Sequence, residues 1–302
     1  MKPPPFEYCA PRTLTEAVGL LGEVEDAKVI AGGQSLIPLM NMRLARPARL
    51  VDACRVPELG AIRRNGHLSI GATARQTAVL RSAEVREFAP IIPEALSHVG
   101  HAANRNRGTF GGSVAHADPA AELPTVLRAL GADIVVQGPA GERVIPADDF
   151  FVSYFTTALS EDEILTEIRL PRRHDPTRGV WAFTEVARRH GDFALVGVAL
   201  VAELDDDRRV TAARICLNGV AERPHRAEAA EQYLHGRRLD DPDVAREAGR
   251  LAAADLQPPS DLHASDRYRK DAAAALVARA VGSADARSAG AAPGAARQED
   301  GQ

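Results

Sequence analysis

The chain has 302 residues, of which 45% are hydrophobic, and a formal net charge of −4. This length can bury a sizeable core and can hold two domains. The sequence has no window of about twenty unbroken apolar residues and no apolar signal core in residues 1–11, which predicts a soluble, cytoplasmic protein. The negative charge and the low number of lysines exclude nucleic acid and strong membrane binding from the expected functions; the lysines are Lys2, Lys28 and Lys270.

The pattern of apolar residues predicts an α+β fold, with a first domain at residues 1–174. Its first subdomain covers residues 1 to about 53, with helices predicted over 14–21 and 35–45 and strands over 27–31 and 50–52. Its second subdomain covers residues 54–174, with strands predicted over 67–70 and 133–136 and helices over 82–88 and 119–130.

A polar, proline-bracketed segment at residues 170–176 predicts a domain boundary. The second domain, at residues 177–282, has predicted strands over 180–186, 194–204 and 210–218, followed by alanine-rich helices. Residues 283–302 lack large apolar side chains and are predicted to be a disordered tail.

Two glycine loops, AGGQS at residues 31–35 and TFGGS at residues 109–113, each stand before a predicted helical stretch. Adjacent glycines let backbone N–H groups turn toward one anion, and a helix N-terminus adds further donors. Two such loops suit a diphosphate that is held from both sides. A Gly-Gly pair is also typical of a tight strand-to-helix connection, and this alternative stays open for each loop taken alone.

Neither loop matches the two commonest nucleotide-binding motifs. No Gly-Lys-Ser/Thr follows either of them, and neither has the Gly-x-Gly-x-x-Gly pattern. The pair of loops therefore indicates a nucleotide diphosphate in a different fold.

Further motifs follow the first glycine loop in a fixed order. They are residues 31–52 (AGGQSLIPLMNMRLARPARLVD), 70–73, 105–113, 115–124, 187–194, and 261–263 with 268–269. Together they resemble the medium, flavoprotein subunit of molybdenum hydroxylases. The resemblance is to the medium chains of aerobic carbon monoxide dehydrogenases within the xanthine dehydrogenase family, and it spans roughly residues 3–282.

This resemblance implies a two-lobed FAD-binding domain of the vanillyl-alcohol-oxidase, or PCMH, type at residues 1–174. It implies a smaller domain of the carbon monoxide dehydrogenase flavoprotein type at residues 177–282, with a three-stranded antiparallel sheet and helices. The implied cofactor is FAD, bound non-covalently. The residues that would contact it are Ala31, Gly32, Gly33, Gln34, Ser35, Thr109, Gly111, Gly112, Ser113, Asp118, Glu122, Leu165 and Phe193.

Asp118 and Glu122 have two interpretations. Asp118 followed by Pro119 is typical of a helix start, with Asp118 as the N-cap and Pro119 at the first helical position, and the two acids would then serve only the helix. By resemblance, Glu122 falls where the family places a carboxylate in hydrogen-bond contact with the flavin cofactor. A carboxylate can accept from the hydroxyl groups of such a ligand.

Leu165 and Phe193 are assigned by resemblance alone. Leu165 sits where the wider family brings a backbone group to the flavin. Phe193 aligns with an aromatic position, usually tyrosine, beside the isoalloxazine ring, and here it lacks the hydroxyl group. The alternative for Phe193 is a core aromatic at the start of a strand.

Two departures from the family pattern lie in the glycine loops. Gln34 stands where some carbon monoxide dehydrogenases have histidine. Ala103-Asn104 stands where the family usually has glutamine and an apolar residue. Ala103-Asn104 is expected to loosen the approach to the second loop or to alter the surroundings of the flavin, and Gln34 argues against carbon monoxide as the substrate.

The cysteines predict a multi-subunit protein. Cys9, Cys54 and Cys216 are isolated and have no Cys-x-x-Cys spacing, which is typical of small buried apolar residues. An iron-sulfur cluster normally needs four ligands. In a molybdenum hydroxylase, the two-iron two-sulfur clusters and the molybdenum cofactor must then lie on partner chains. The resemblance implies a small iron-sulfur subunit and a large molybdenum-cofactor subunit, in a dimer of heterotrimers.

The resulting hypothesis is an FAD-binding electron-transfer subunit that passes electrons from clusters on a partner chain to an external acceptor. No residue of this chain is expected to catalyse hydroxylation or to bind a metal. A free-standing FAD-dependent oxidase and a non-redox nucleotide-binding module are the alternatives. The substrate stays open between carbon monoxide, purines, N-heterocycles and aldehydes.

Overall fold

A three-stranded parallel sheet forms the first lobe. The computed structural model describes residues 2–171 and 178–288. The elements of this lobe are β1 (Glu7–Cys9), α1 (Leu14–Gly22), β2 (Ala27–Ile30), α2 (Leu36–Asn41) and β3 (Arg49–Asp52), with the strand order β1-β3-β2. The Thr13 hydroxyl caps α1 by accepting from the N–H of Glu16 at 3.2 Å, and Leu21 packs with Val51 of the central strand.

A five-stranded antiparallel sheet forms the second lobe, in the order β4-β5-β10-β6-β7. Its elements are β4 (Ile62–Asn65), β5 (His67–Gly71), α3 (Gln76–Arg81), α4 (Ala83–Phe88), α5 (Ile91–His98), α6 (Ala102–Arg107), α7 (Phe110–His116), α8 (Glu122–Leu130), β6 (Asp133–Gly138), β7 (Gly141–Pro146), α9 (Ala147–Phe150), β8 (Phe151–Ser153), β9 (Thr156–Thr157) and β10 (Ile164–Leu170). Alternate residues of β6, Ile134 and Val136, are fully buried in one core with Leu123 and Leu127 of α8.

A four-stranded antiparallel sheet and three helices form the C-terminal domain. The elements are β11 (Gly179–Ala187), β12 (Ala194–Leu204), β13 (Val210–Asn218), β14 (His225–Arg226), α10 (Glu228–Leu234), α11 (Pro242–Ala254) and α12 (Asp266–Ser288). The sheet order is β11-β12-β13-β14. The first three strands are those predicted from the sequence, and the two-residue β14 is a fourth strand that the apolar pattern did not indicate.

Strand β12 is buried on both faces and joins the two domains. Ala199 and Val201 belong to the same apolar core as Leu127 of α8, whereas Val198 and Leu200 pack on the opposite side with α12. The sequence of β12, ALVGVALVAEL, is almost entirely apolar because both of its faces are covered, so neither face needs polar side chains.

An ion-pair network crosses the same interface. Asp148 of α9 accepts from Arg128 of α8 at 3.0 Å and from Arg214 of β13 at 2.8 Å. Burial acts to raise the pKa of Asp148, but the hydrogen bonds from Arg214 and Arg128 outweigh it and hold the pKa below its usual value. Ionised Asp148 therefore stabilises the contact between the domains.

We expect Asp148→Asn to lower the free energy of unfolding at neutral pH by about 1 to 2 kcal/mol, because two partly buried guanidinium groups lose their carboxylate. A carboxyl with a lowered folded-state pKa stabilises above its unfolded pKa, and this contribution is lost as pH falls through the folded pKa. The difference between variant and parent should therefore shrink in acid, as measured by urea unfolding. Asp149→Asn, at an exposed neighbouring position, is the control, and an equal loss at every pH contradicts the expectation.

Three sequence predictions differ from the structure. The predicted helix at 35–45 spans only Leu36–Asn41, and Arg43 beyond it has a φ of +63°. The predicted helix at 119–130 begins at Glu122. Helix α12 extends to Ser288, so residues 283–288 are helical and Ala284 is buried, unlike the predicted disorder. The rest of the predicted tail, 289–302, and most of the predicted boundary segment, 172–177, lie outside the described residues.

Among the helices in residues 2–171 and 178–288, none combines the length and apolar character needed to cross a membrane.

Candidate cofactor site

The first glycine loop connects β2 to α2 and leaves several amides without a partner. Gly33 has a φ of +70°, a left-handed conformation that glycine adopts without strain. Within the described residues, no acceptor lies in hydrogen-bond range of the N–H groups of Gly33, Gln34 and Ser35 or of the Ser35 hydroxyl. This run of open donors can take an anion.

The two glycine loops contact each other through their backbones. A Cβ atom on Gly32 would lie 2.5 Å from the carbonyl oxygen of Arg107 and 2.7 Å from the Cα of Gly108. Only glycine permits this approach. The structure thus brings together the two loops that were predicted from sequence to hold one ligand.

The second loop is wound into a helix. Thr109 is the N-cap of α7, and its hydroxyl accepts from the N–H of Gly112 at 3.1 Å. The N–H of Gly111 donates to the carbonyl of Ala72 at 2.9 Å, and a Cβ on Gly111 would lie 2.6 Å from the Cα of Ala72. The amides of Gly111 and Gly112 therefore already have acceptors, so these glycines serve close packing. The hydroxyl of Ser113 has no hydrogen-bond partner among the described residues.

The two departures from the family pattern contact each other. Asn104 of α6 donates through Nδ2 to Oε1 of Gln34 at 3.3 Å, and Gln34 donates through Nε2 to the carbonyl of Gly32 at 3.2 Å. Asn104 donates to Gln34 and Gln34 donates to its own loop, so the two residues together tie the first loop to α6.

Asp118 does not cap α8, contrary to the prediction from the Asp-Pro pair. Its Oδ1 accepts from the N–H of Ala120 at 2.9 Å, while Ala121 is the N-cap and Glu122 is the first helical residue. Pro119 and Ala120 instead form a turn, which is closed by the N–H of Ala121 donating to the Asp118 carbonyl at 3.0 Å. The C-terminal domain binds this turn: the N–H of Gly219 donates to the Pro119 carbonyl at 2.8 Å, and Nδ2 of Asn218 donates to that of Ala120 at 2.7 Å.

Glu122 is buried, with 7% of its surface exposed. Burial raises the pKa of its carboxyl to about 7, and the negative charge of Asp118 acts in the same direction. Such a carboxyl is ready to exchange a hydrogen bond with a ligand. The prediction that it contacts the cofactor thus has a physical basis, because a buried acceptor gains more from a donor than an exposed one.

Phe193 ends the turn between β11 and β12 and is 72% exposed, so the alternative of a core aromatic is wrong. The turn lies against the start of α6: Gly191 has a φ of +84°, and its Cβ position is 2.6 Å from Cε1 of the His101 ring. The C-terminal domain therefore reaches the helix that Asn104 ties to the first loop.

Leu165 lies on β10 and is buried, with 6% of the residue exposed, and its side chain belongs to the main core. Its strand bulges between Leu165 and Glu167, where pairing with β6 shifts.

Two family models cover almost the whole chain. The FAD binding domain in molybdopterin dehydrogenase matches residues 4–173, and the CO dehydrogenase flavoprotein C-terminal domain matches residues 181–284. The chain belongs to the FAD-binding subunits of molybdenum hydroxylases. This result confirms the resemblance seen in the motifs, the α+β fold with its two-lobed FAD-binding domain, and FAD as the cofactor of this chain.

Individual relatives agree in length and in fold. The 6-hydroxypseudooxynicotine dehydrogenase complex subunit alpha of Paenarthrobacter nicotinovorans is 40% identical over 286 residues, 94% of this chain and 96% of that protein. The carbon monoxide dehydrogenase medium chain of Hydrogenophaga pseudoflava is 38% identical over 289 residues, 95% of this chain and 99% of that protein. The crystal structure of quinoline 2-oxidoreductase from Pseudomonas putida 86 matches with a TM-score of 0.91 and 40% identity, and covers 95% of this chain and 99% of that one. The chain is an oxidoreductase subunit of the carbon monoxide and xanthine dehydrogenase type.

The geometry of this FAD-binding subunit fits its cofactor. The open amides of Gly33, Gln34 and Ser35 are donors for a diphosphate, which carries only acceptors at neutral pH. The contact between Gly32 and Arg107 places the second loop beside them. A Cβ on Gly32 would collide with the backbone of Arg107, and a Cβ on Gly33 would be strained at its φ of +70°.

One buried acid of the FAD-binding subunit was not identified from its sequence. Glu185 of β11 has a side chain that is only 4% exposed. Burial raises the pKa of its carboxyl to about 8, and the charge of Glu122 acts in the same direction. The sequence does show that Glu185 lies within a mostly apolar strand, GVWAFTEVA, but the strand pattern alone cannot show which residues its side chain faces.

Proposed function

We propose that this chain is the electron-transfer subunit of a molybdenum hydroxylase complex. Its FAD would collect electrons from two-iron two-sulfur clusters on a small partner chain and pass them to an external acceptor. A flavin suits this role because it exchanges either one or two electrons. The observation that carries the proposal is the paired-loop cradle in a chain that matches the two flavoprotein family models over residues 4–173 and 181–284.

In this proposal the residues of the chain bind and orient the cofactor. Ala31 to Ser35 donate to the diphosphate, and Thr109, Gly111, Gly112 and Ser113 close the other side by packing and through hydroxyl groups. Glu122 and Asp118 accept from cofactor hydroxyls, and the backbone at Leu165 approaches the flavin. The exposed ring of Phe193 would cover part of the flavin and leave an edge open toward a partner.

The partners belong to the proposal as well. The names of the relatives, a complex subunit alpha and a medium chain, support assembly with other chains. We propose a large molybdenum-cofactor subunit and a small iron-sulfur subunit, in a dimer of heterotrimers. The choice of substrate would then be made by the large subunit, and a cytoplasmic location stays a prediction.

The isolated chain is expected to bind FAD non-covalently and to have no substrate turnover of its own. The purified protein should be yellow, should release FAD on acid denaturation, and should be bleached by dithionite under anaerobic conditions. Carbon monoxide, a purine or an N-heterocycle alone should leave the flavin oxidised, because the chain carries no group that oxidises them.

Two outcomes separate the alternatives. Bleaching of the isolated flavoprotein by one of these substrates alone would favour a free-standing oxidase. Colourless protein that takes up no FAD would favour a non-redox nucleotide-binding module. Copurification with cluster-bearing and molybdenum-bearing chains from the native host is the result that supports the complex.

A further inference from the structure

A buried acid pair lies where the C-terminal domain meets the FAD-binding domain. The side chain of Glu185 on β11 is 4% exposed, and its Oε2 has no hydrogen-bond partner among the described residues. Nδ1 of His98 on α5 lies 3.8 Å from Oε1 of Glu185, which is too far for a hydrogen bond. A buried carboxyl without donors is costly when it is ionised.

Glu122 has a better environment for negative charge. It is the first residue of the nine-residue helix α8, and its own backbone N–H donates to its carboxyl. The N-terminal end of a helix favours a carboxylate. Glu122 and Glu185 repel each other when both are ionised, so one proton is retained by the pair, and it resides on the carboxyl that has fewer donors.

Among the described residues, the basic group within 4 Å of the Glu185 carboxyl is His98, and it does not neutralise the pair. Burial lowers the pKa of His98, so its ring is neutral near pH 7; Glu94 on its own helix opposes this shift and His190 in the β11–β12 turn adds to it. Asp118 faces Glu122 and adds further negative charge.

We propose that Glu185 is a positioning residue of the cofactor site: it keeps the proton of the Glu122–Glu185 pair, so that Glu122 stays an ionised acceptor for hydroxyl groups of the bound FAD. This inference rests on the proposed contact between Glu122 and FAD. Protonated Glu185 adds no charge beside a ligand that already carries a diphosphate.

The affinity of the chain for FAD is expected to depend on pH. Glu185 loses its proton as pH rises through about 8, which places a second negative charge beside Glu122. FAD binding should therefore weaken on the alkaline side. Glu122 gains a proton as pH falls through about 7 and ceases to be a pure acceptor, so binding should also weaken in acid.

The test is a fluorescence titration of FAD into the FAD-depleted full chain at about pH 7.5, between the two pKa values, and at about pH 9, above both. The parent should bind about tenfold more weakly at the higher pH, the effect of roughly one pKa unit of interaction. Glu185→Gln carries a neutral isostere, and its affinity should change less than about twofold between the two conditions. Glu247→Gln, on the surface of α11, is the matched control and should behave as the parent.

Two results overturn the role of Glu185: a Glu185→Gln variant that keeps the alkaline loss of the parent, or one that binds equally weakly at both pH values, which is a purely structural effect. Circular dichroism and thermal unfolding establish that the variant is folded. A parent chain that binds no FAD at either pH contradicts the proposed function itself, so the two failures are distinguishable.

Discussion

Replacing Gly32 with alanine is expected to remove most of the FAD from the purified chain while leaving it folded. The new Cβ would meet the backbone of the second loop at 2.5 Å, where no side chain can rotate away, so the two loops must separate. Overpacking of this kind costs about 1 to 3 kcal/mol. Since the separation opens the cradle, we expect FAD affinity to fall about 5-fold to 150-fold.

The measurement is the ratio of FAD to protein after gel filtration, followed by titration of the depleted protein. Gly19→Ala is the matched control, because Gly19 is exposed on α1 and has no atom within 4 Å of its Cβ position. Gly33→Ala should also lose FAD, since alanine is strained at a φ of +70°. Full flavin content in a folded Gly32→Ala protein would show that the loops do not act as one clamp.

Replacing Glu122 with alanine should have opposite effects on cofactor binding and on stability. Loss of a hydrogen bond to a charged group costs about 1 to 3 kcal/mol, so FAD affinity should fall about 5-fold to 150-fold. The FAD-free fold should lose nothing above neutral pH. A carboxyl whose folded pKa is raised to about 7 destabilises the fold as pH rises through that value, and alanine removes this cost.

The two measurements are FAD titration at about pH 7.5 and urea unfolding of the FAD-depleted chain at pH values below and above about 7. Glu122→Gln keeps the shape and a hydrogen-bonding amide, and its affinity should lie between those of the parent and the alanine variant. Unchanged FAD affinity in Glu122→Ala would show that Glu122 does not contact FAD and serves only the start of α8.

The sequence predicted the elements whose causes are local. Strands β12 and β13 match their predicted bounds, because β12 is a long apolar run and the turn-like segment 205–208 separates it from β13. The first loop was identifiable because its glycine pair lies between a predicted strand and a predicted helix and is followed by a second loop of the same kind. The start of α8 was wrong for a reason that lies elsewhere in the chain: Asn218 and Gly219 bind the carbonyls of Ala120 and Pro119 and prevent the helix from beginning at the Asp-Pro pair.

Contacts between distant segments account for what the sequence missed in the site. Glu185 is unremarkable within its strand and becomes notable only opposite Glu122, which is brought there by the packing of α8 on the C-terminal sheet. The pairing of Gln34 with Asn104 is similar: each was a separate departure from the family pattern, and only the fold shows that they meet. The roles of the individual FAD-contacting residues stay predictions.

The turn that carries Phe193 rests on His101, so the proposed cofactor site would include residues of both domains. Domain docking and cofactor binding then belong to one thermodynamic cycle, in which a ligand that binds only the docked form stabilises it by RT ln(1 + [L]/Kd). FAD would stabilise the docked arrangement of the two domains as well as carry electrons. A subunit that has lost its flavin would also hold its C-terminal domain less firmly, and assembly with partner chains would favour the subunits that are already loaded.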